Sequence, residues 1–286
     1  DLDSQAPRRS FHQRGLGLVP AQHDPIRWRE QALAVCLVVM AIGRHPDYPL
    51  ILAANRDEFH ARPSREAHWW RDRPRVFGGR DLQAGGTWLA ISCSGRFATV
   101  TNYQDVKVPS PENRSRGFLV TGFLDGDLAP QDYLATIEQN RYSGFNLIVG
   151  TPDEVGYLSN RGDGTRTLGP GLYGLSNALL DGPWHKVEHT RERLETMLDA
   201  GDIGETSLMR LMGDRERAPV DRVEKGHLDF ERAHAISAPF IVTPDYGTRC
   251  TSVILADRDG GWRFIERRFD ASGKAIGDTR ATTPPQ

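Results

Sequence analysis

Cys36 opens an apolar stretch, Cys36-Leu37-Val38-Val39-Met40-Ala41-Ile42-Gly43, and a charged tetrapeptide, Asn55-Arg56-Asp57-Glu58, closes the next one, Leu50-Ile51-Leu52-Ala53-Ala54. A thiol becomes a nucleophile only as thiolate. It therefore needs a base or a cation nearby, and the tetrapeptide supplies a carboxylate, a guanidinium and an amide. A carboxylate alone would hold a thiol protonated; it assists only by holding a cation that favours thiolate. Arg56 is one candidate cation. The α-amine of Cys36 is another, if Cys36 is residue one of the working protein. An α-amine titrates near 7.7–8.0, so it can take the thiol proton at neutral pH without a histidine.

The two runs read as strands of one hairpin, joined through His45-Pro46-Asp47-Tyr48-Pro49. Side chains alternate faces along a strand, and directly opposed ones lie about 5 Å apart at Cβ. Pairing Gly43 with Leu50 would set Cys36 opposite Asp57 and Val38 opposite Asn55. A one-residue slip would undo that pairing.

Residues 1–35 are rich in Arg, His, Gln and Pro, begin with Asp rather than Met, and show no sustained period. They read as a disordered leader or a mis-assigned start. Val35 directly precedes Cys36. A start codon read as Met at that position, or removal of a propeptide, would expose the Cys36 amine. Residues 36–270 read as one domain, and 271–286 as a disordered tail.

Within the domain a second hairpin runs from Thr87–Cys93 to Arg96–Asn102 through a Ser94-Gly95 turn. Helices are expected from Ser115 to about Leu124, Pro130 to about Gln139, Pro183 to Leu198 and Gly204 to Met212. Further strands are expected at Phe145–Gly150, Val155–Ser159, Leu172–Asn177, Phe240–Thr243, Thr251–Asp257 and Trp262–Phe269. Hairpins, then helices, then strands again imply an α+β fold rather than alternating βαβ units.

Composition narrows the function. The net charge of −2 argues against a nucleic-acid binder. The apolar run Leu33–Gly43 is about half the length of a membrane-spanning helix. Three cysteines with no C-x-x-C pair exclude a disulfide scaffold, make a zinc ribbon a poor reading, and suit a reducing, cytoplasmic setting. Gly169–Gly174 matches a dinucleotide-binding pattern but lacks the following helix. His185-Lys186-Val187-Glu188-His189 has zinc-ligand spacing but no identifiable third ligand. We therefore assign no metal.

Taken together, Cys-Leu-Val-Val-Met-Ala-Ile at 36–42, Leu-Ile-Leu-Ala-Ala-Asn-Arg-Asp-Glu-Phe at 50–59, Gly85-Gly86-Thr87-Trp88-Leu89, Thr101-Asn102-Tyr103, Ser115-Arg116-Gly117, Gly174-Leu175-Ser176-Asn177, Trp184-His185-Lys186 and Gly247-Thr248-Arg249 resemble the NRDE family. That family includes the transport and Golgi organization protein 2 of eukaryotes. It is more remotely similar to N-terminal-nucleophile hydrolases of the cholylglycine hydrolase and penicillin V acylase type. The resemblance implies a four-layer αββα sandwich of two antiparallel sheets.

It also implies roles. Cys36 matches the nucleophile and Asp57 the aspartate that orients its amine. Asn102 matches an oxyanion-side residue, Asn177 the asparagine that binds amine or oxyanion, and Arg249 a late arginine near the thiol. The acylases carry Arg-Asn-x-Asp where this chain has Ala54-Asn55-Arg56-Asp57, which moves the arginine to the opposite strand face. The activity implied is hydrolysis of a linear amide through an acyl-enzyme, with no cofactor required. The alternative is a carrier on the same fold, holding a haem or an acyl lipid.

Overall fold

The computed structural model describes residues 36–104, 110, 112–226 and 228–284. The expected leader lies outside the described residues. Thirteen strands are described: β1 Leu37–Ile42, β2 Leu50–Phe59, β3 Ser64–Trp69, β4 Val76–Asp81, β5 Leu89–Ser92, β6 Arg96–Asn102, β7 Phe145–Gly150, β8 Val155–Ser159, β9 Gly164–Thr167, β10 Gly171–Leu175, β11 Tyr246–Ala256, β12 Trp262–Phe269 and β13 Ala275–Thr283. The helices are α1 Gly117–Asp125, α2 Pro130–Ala135, α3 His185–Asp199, α4 Glu205–Met212 and α5 Phe230–Ala235.

Every strand pairing is antiparallel. One sheet runs β10-β1-β2-β11-β12-β13 and the other β3-β4-β5-β6-β7-β8-β9. The alternation in β1 shows how the layers form. Val38 and Met40 point between the sheets, where they join Leu52, Phe77, Leu89 and Phe97 in one core. Leu37, Val39 and Ala41 point the other way and pack with Val187, Leu194, Leu208 and Leu211 of α3 and α4. A strand buried on both faces reads as a continuous apolar run, which is why β1 looked uniform in sequence. On the far sheet, Ala90, Ala98 and Leu147 pack under Leu119, Phe123 and Leu134 of α1 and α2. The order is thus helix, sheet, sheet, helix. Edge-to-face rings lock the two sheets together, Phe77 on Phe264 at 5.3 Å between centroids.

Four expectations need correction. The expected tail is the edge strand β13, paired with β12 over Trp262–Phe269. The loop of the second hairpin has three residues, because Ser92 pairs with Arg96 and Gly95 takes φ 67. Phe240–Thr243 forms only an isolated bridge, Val242 with Gly247. Most consequential is the β1–β2 register, in which Leu37 pairs with Asn55 and Ile42 with Leu50. Gly43 leaves the strand at φ 61 and closes the turn by donating its N–H to the Pro49 carbonyl at 2.8 Å. Only glycine adopts that backbone readily. The pairing is therefore one residue from the expected one. Cys36 comes level with Arg56 rather than Asp57.

Candidate active site

The register divides the Asn55–Glu58 tetrapeptide between two faces of its sheet. Asn55 and Asp57 face the helical layer. The Asn55 amide donates to the carbonyls of Met212 and Pro239, each at 2.8 Å, and its oxygen accepts from Thr251 Oγ1 at 2.6 Å. That side chain ties β2 to the end of α4 and is fully used in holding the fold. Arg56 and Glu58 face the other way, into a cavity of about 480 Å³ with Cys36 on its wall.

Four alternating charges stand there. Arg56 lies 3.7 Å from both Glu58 and Asp81, and Arg62 lies 3.5 Å from Glu58 and 2.7 Å from Asp81. The Arg56 guanidinium also stacks on Trp88, 4.4 Å from the ring centroid, a favourable contact for a desolvated cation. Trp88 can lie flat there because Gly79 has no Cβ; one would stand 2.3 Å from the indole. Arg56 is only 5 % exposed, and its Nη1 has no hydrogen-bond partner.

The main chain of Cys36 is held at both ends by the residues that follow β10. Its N–H donates to Asn177 Oδ1 at 3.1 Å, and its carbonyl accepts from Ser176 Oγ at 2.7 Å. Asn177 Nδ2 in turn donates to the Asn102 carbonyl at 2.7 Å. Cys36, Asn102 and Asn177, far apart in sequence, thus meet where β1, β6 and β10 end. Asp57 lies behind the thiol. Thr248 Oγ1 donates to its Oδ1 at 2.7 Å, while Oδ2 is buried without a partner.

Burial, then the Asp57 charge, pushes the Cys36 thiol up to about 11, opposed by the Asp57 main-chain N–H and by Arg56. Burial likewise raises the Asp57 carboxyl to about 7, opposed chiefly by Lys186. Lys186, 2 % exposed on the first turn of α3, is pushed down to about 8 by burial, with Asp57 and Cys36 opposing. Lys186 is the member of this group that sequence reasoning passed over. Its signal was the Trp184-His185-Lys186 motif, where a lysine stands on a helix face that packs inward.

Arg249 is not brought to the thiol. A bulge between Thr248 and Cys250 interrupts the β11–β2 pairing at this residue, and such a bulge re-aims a side chain. Arg249 Nη1 donates to the carbonyls of Phe59, His60 and Arg62 at 2.9, 3.2 and 3.2 Å. It clamps the turn that follows β2. Its guanidinium is thereby engaged by main-chain carbonyls, and it is not among the residues that line the cavity.

The two histidines of the zinc-like pattern stack at 5.4 Å between centroids on α3, both partly buried. His189 bonds Asp214 at 2.9 Å, and Arg193 pairs with the same carboxylate oxygen. A guanidinium already neutralises that carboxylate, so the group reads as a partly buried ion-pair network.

The chain is similar to known proteins over most of its length. The sequence pattern described as Transport and Golgi organisation 2 matches residues 35–271. The chain belongs to the transport and Golgi organisation 2 family. It is similar to the Transport and Golgi organization protein 2 homolog of Bos taurus, 38% identical over 256 residues, covering 82% of this chain and 92% of the relative. The Homo sapiens homolog is 36% identical over the same length and coverage. The Drosophila melanogaster protein is 30% identical over 260 residues, covering 81% and 91%. The family match begins one residue ahead of Cys36 and ends just after β12. The motifs that bring Cys36, Asp57, Asn102, Asn177 and Lys186 together all lie within it. Among the described residues, no helix is long and apolar enough to cross a membrane.

Proposed function

We propose that the working form begins at Cys36 and hydrolyses linear amides through a thioester. The supporting observation is the Cys36 nitrogen on Asn177 Oδ1 at 3.1 Å, at the wall of an open cavity. As a peptide nitrogen it has no basic lone pair. As a free amine in the same place it has one, beside its own sulfur. Both charge states of that amine would be served. Asn177 Oδ1 accepts from it, and Asp57 Oδ2, buried without a partner, is an unused acceptor for an ammonium. The Asn177 amide group already donates to the Asn102 carbonyl, so its bonds favour the amine-binding role over that of oxyanion donor. Asn102, on the cavity wall, is the better-placed donor to a developing oxyanion.

The chemistry balances without a cofactor. The amine takes the thiol proton, and sulfur bonds to the carbonyl carbon. The amine then gives that proton to the departing nitrogen as the C–N bond breaks. Water attacks the thioester, the same amine removes its proton, and sulfur leaves with a proton as the acid is released. In the chain that continues ahead of Cys36, the thiol pushed up to about 11 stays protonated at neutral pH. Removing the preceding residues is therefore the activating event.

The test is an intact mass of the protein purified from its own host, followed by a panel of N-acyl amides. A mass starting at Cys36, turnover of at least one amide and loss of that turnover in Cys36→Ala are expected. Native protein that retains residues 1–35, or undiminished turnover in Cys36→Ala, would overturn the reading. So would a Soret band on haem titration in protein that turns over nothing, which would favour the carrier.

A further inference from the structure

We infer that the cavity takes a ligand bearing a terminal oxyanion, bound by Arg116 at the N-terminus of α1. The inference rests on the hydrolase reading only for what happens to the ligand next; binding is independent of it.

Three observations carry it. Arg116 lines the cavity at the N-cap position of α1, where no side chain caps the helix and no acidic residue stands in the first turn. The positive end of the helix dipole is therefore uncompensated there. Second, the Arg116 guanidinium donates through Nη1 to the Gly144 carbonyl at 2.9 Å and forms no ion pair among the described residues. Burial and the neighbouring Arg62 push it down to about 10, opposed by the Glu58 and Cys36 charges, so it stays charged at neutral pH. Third, the buried Nη1 of Arg56, on the same cavity wall, lacks a partner. Glu58 and Asp81 are matched by Arg56 and Arg62, which share them, so Arg116 is a further cation beside two already paired carboxylates. A half-buried cation without its own anion is costly. An incoming carboxylate or phosphate would offset that cost and accept charge-assisted bonds.

The arrangement is built by close packing. A Cβ on Gly86 would stand 2.6 Å from the main chain of Gly117, and one on Gly117 would stand 2.8 Å from the nitrogen of Thr87. The glycine pair lets the start of α1 press against the cavity loop and carries Arg116 with it.

The test measures calorimetric binding of three probes to the full chain with Cys36→Ala, which has no nucleophile at this position. The probes are an N-acylglycine, the matching N-acylglycinamide and the matching N-acyl aminomethylphosphonate. The carboxylate or the phosphonate, or both, should bind at least about tenfold more tightly than the amide, and the preference should shrink with added salt. The two anionic arms distinguish a carboxylate site from a phosphate site. Arg116→Gln should bring the anions to the level of the amide and leave the amide unchanged, whereas Arg116→Lys should keep part of the preference. Equal binding of all three probes by the unsubstituted Arg116 protein overturns the inference, whatever the variants do. Anions that bind but are never cleaved by the form starting at Cys36 would count against the hydrolase reading alone. Cleavage of the neutral amide as fast as the anions, with equal affinity, would count against the oxyanion site alone.

Discussion

Asn177 fixes the position of Cys36 through the main chain, with Oδ1 accepting the Cys36 N–H at 3.1 Å while Nδ2 donates to the Asn102 carbonyl at 2.7 Å. One side chain thereby ties the first residue of the domain to the ends of β6 and β10. Asn177 is 2 % exposed. Replacing it with alanine removes the partner of two part-buried groups, the Cys36 N–H and the Asn102 carbonyl, a loss of roughly 1–3 kcal/mol in all. Asn177→Ala should lower stability by about that amount in urea denaturation. If the Cys36 amine works as proposed, amide turnover should fall by about 10²-fold or more, a loss of the size seen when a catalytic hydrogen bond is removed. A variant that is destabilised but fully active would separate the two roles.

The pH dependence of stability should report Asp57. Burial raises its carboxyl from 3.8 to about 7. The folded protein then holds a proton that the unfolded chain has released. The Asp57 contribution to stability is full below pH 3.8 and is lost as pH rises through 7. Lys186 has the opposite sign. Its ammonium, pushed from 10.5 down to about 8, contributes fully above 10.5 and loses that contribution as pH falls through 8. Between pH 7 and 8 both buried groups carry charge. Asp57→Asn should therefore gain stability relative to the parent protein on going from pH 4 to pH 8, by roughly 2–4 kcal/mol. A flat difference in denaturant midpoints across that range would contradict the assignment.

Lys186→Met is the complementary change. Lys186 is the largest influence holding the Asp57 carboxyl down. Its removal should move the Asp57 transition to higher pH, and the pH at which amide turnover is half-maximal should move with it. Chemical-shift titration of a 13C-labelled Asp57 carboxyl checks the direction without relying on turnover. An unmoved carboxyl titration would show that Lys186 serves packing only.

The sequence revealed strands whose two faces differ little in chemistry, because burial alone marks them. Phe145–Gly150, Val155–Ser159 and Trp262–Phe269 fall where the apolar runs predict. It hid β13, whose Ala275–Thr283 run is polar and buries only its last residue, since an edge strand is held by its ladder to β12 rather than by a core. The β1–β2 register was out of reach for a different reason. The Gly43 turn absorbs one more residue than strand pattern can count, and alternation then moves Asp57 to the helical face. Recognition of the motifs pointed to Cys36, Asp57, Asn102 and Asn177, which the fold does gather. Arg249 stands at a bulge in β11, a feature that a sequence pattern does not announce, with its guanidinium on the turn that leaves β2. Lys186 and Arg116 escaped notice because lysine and arginine are normally surface residues. Only the packed structure shows that one is buried behind the thiol and the other lines the cavity.

Arg249 should matter to the fold more than to the thiol. Its three bonds to the carbonyls of Phe59, His60 and Arg62 hold the turn that leaves β2. Arg249→Ala should cost roughly 1–3 kcal/mol in denaturation. The reactivity of Cys36 toward iodoacetamide should stay within about twofold, because the influences that set its thiol, namely burial, Asp57, Arg56 and Glu58, are untouched. Mass mapping must separate this site from Cys93, which is exposed, and from Cys250, which is buried. A large rise in Cys36 alkylation with unchanged stability would return Arg249 to the neighbourhood of the nucleophile and reject the clamp.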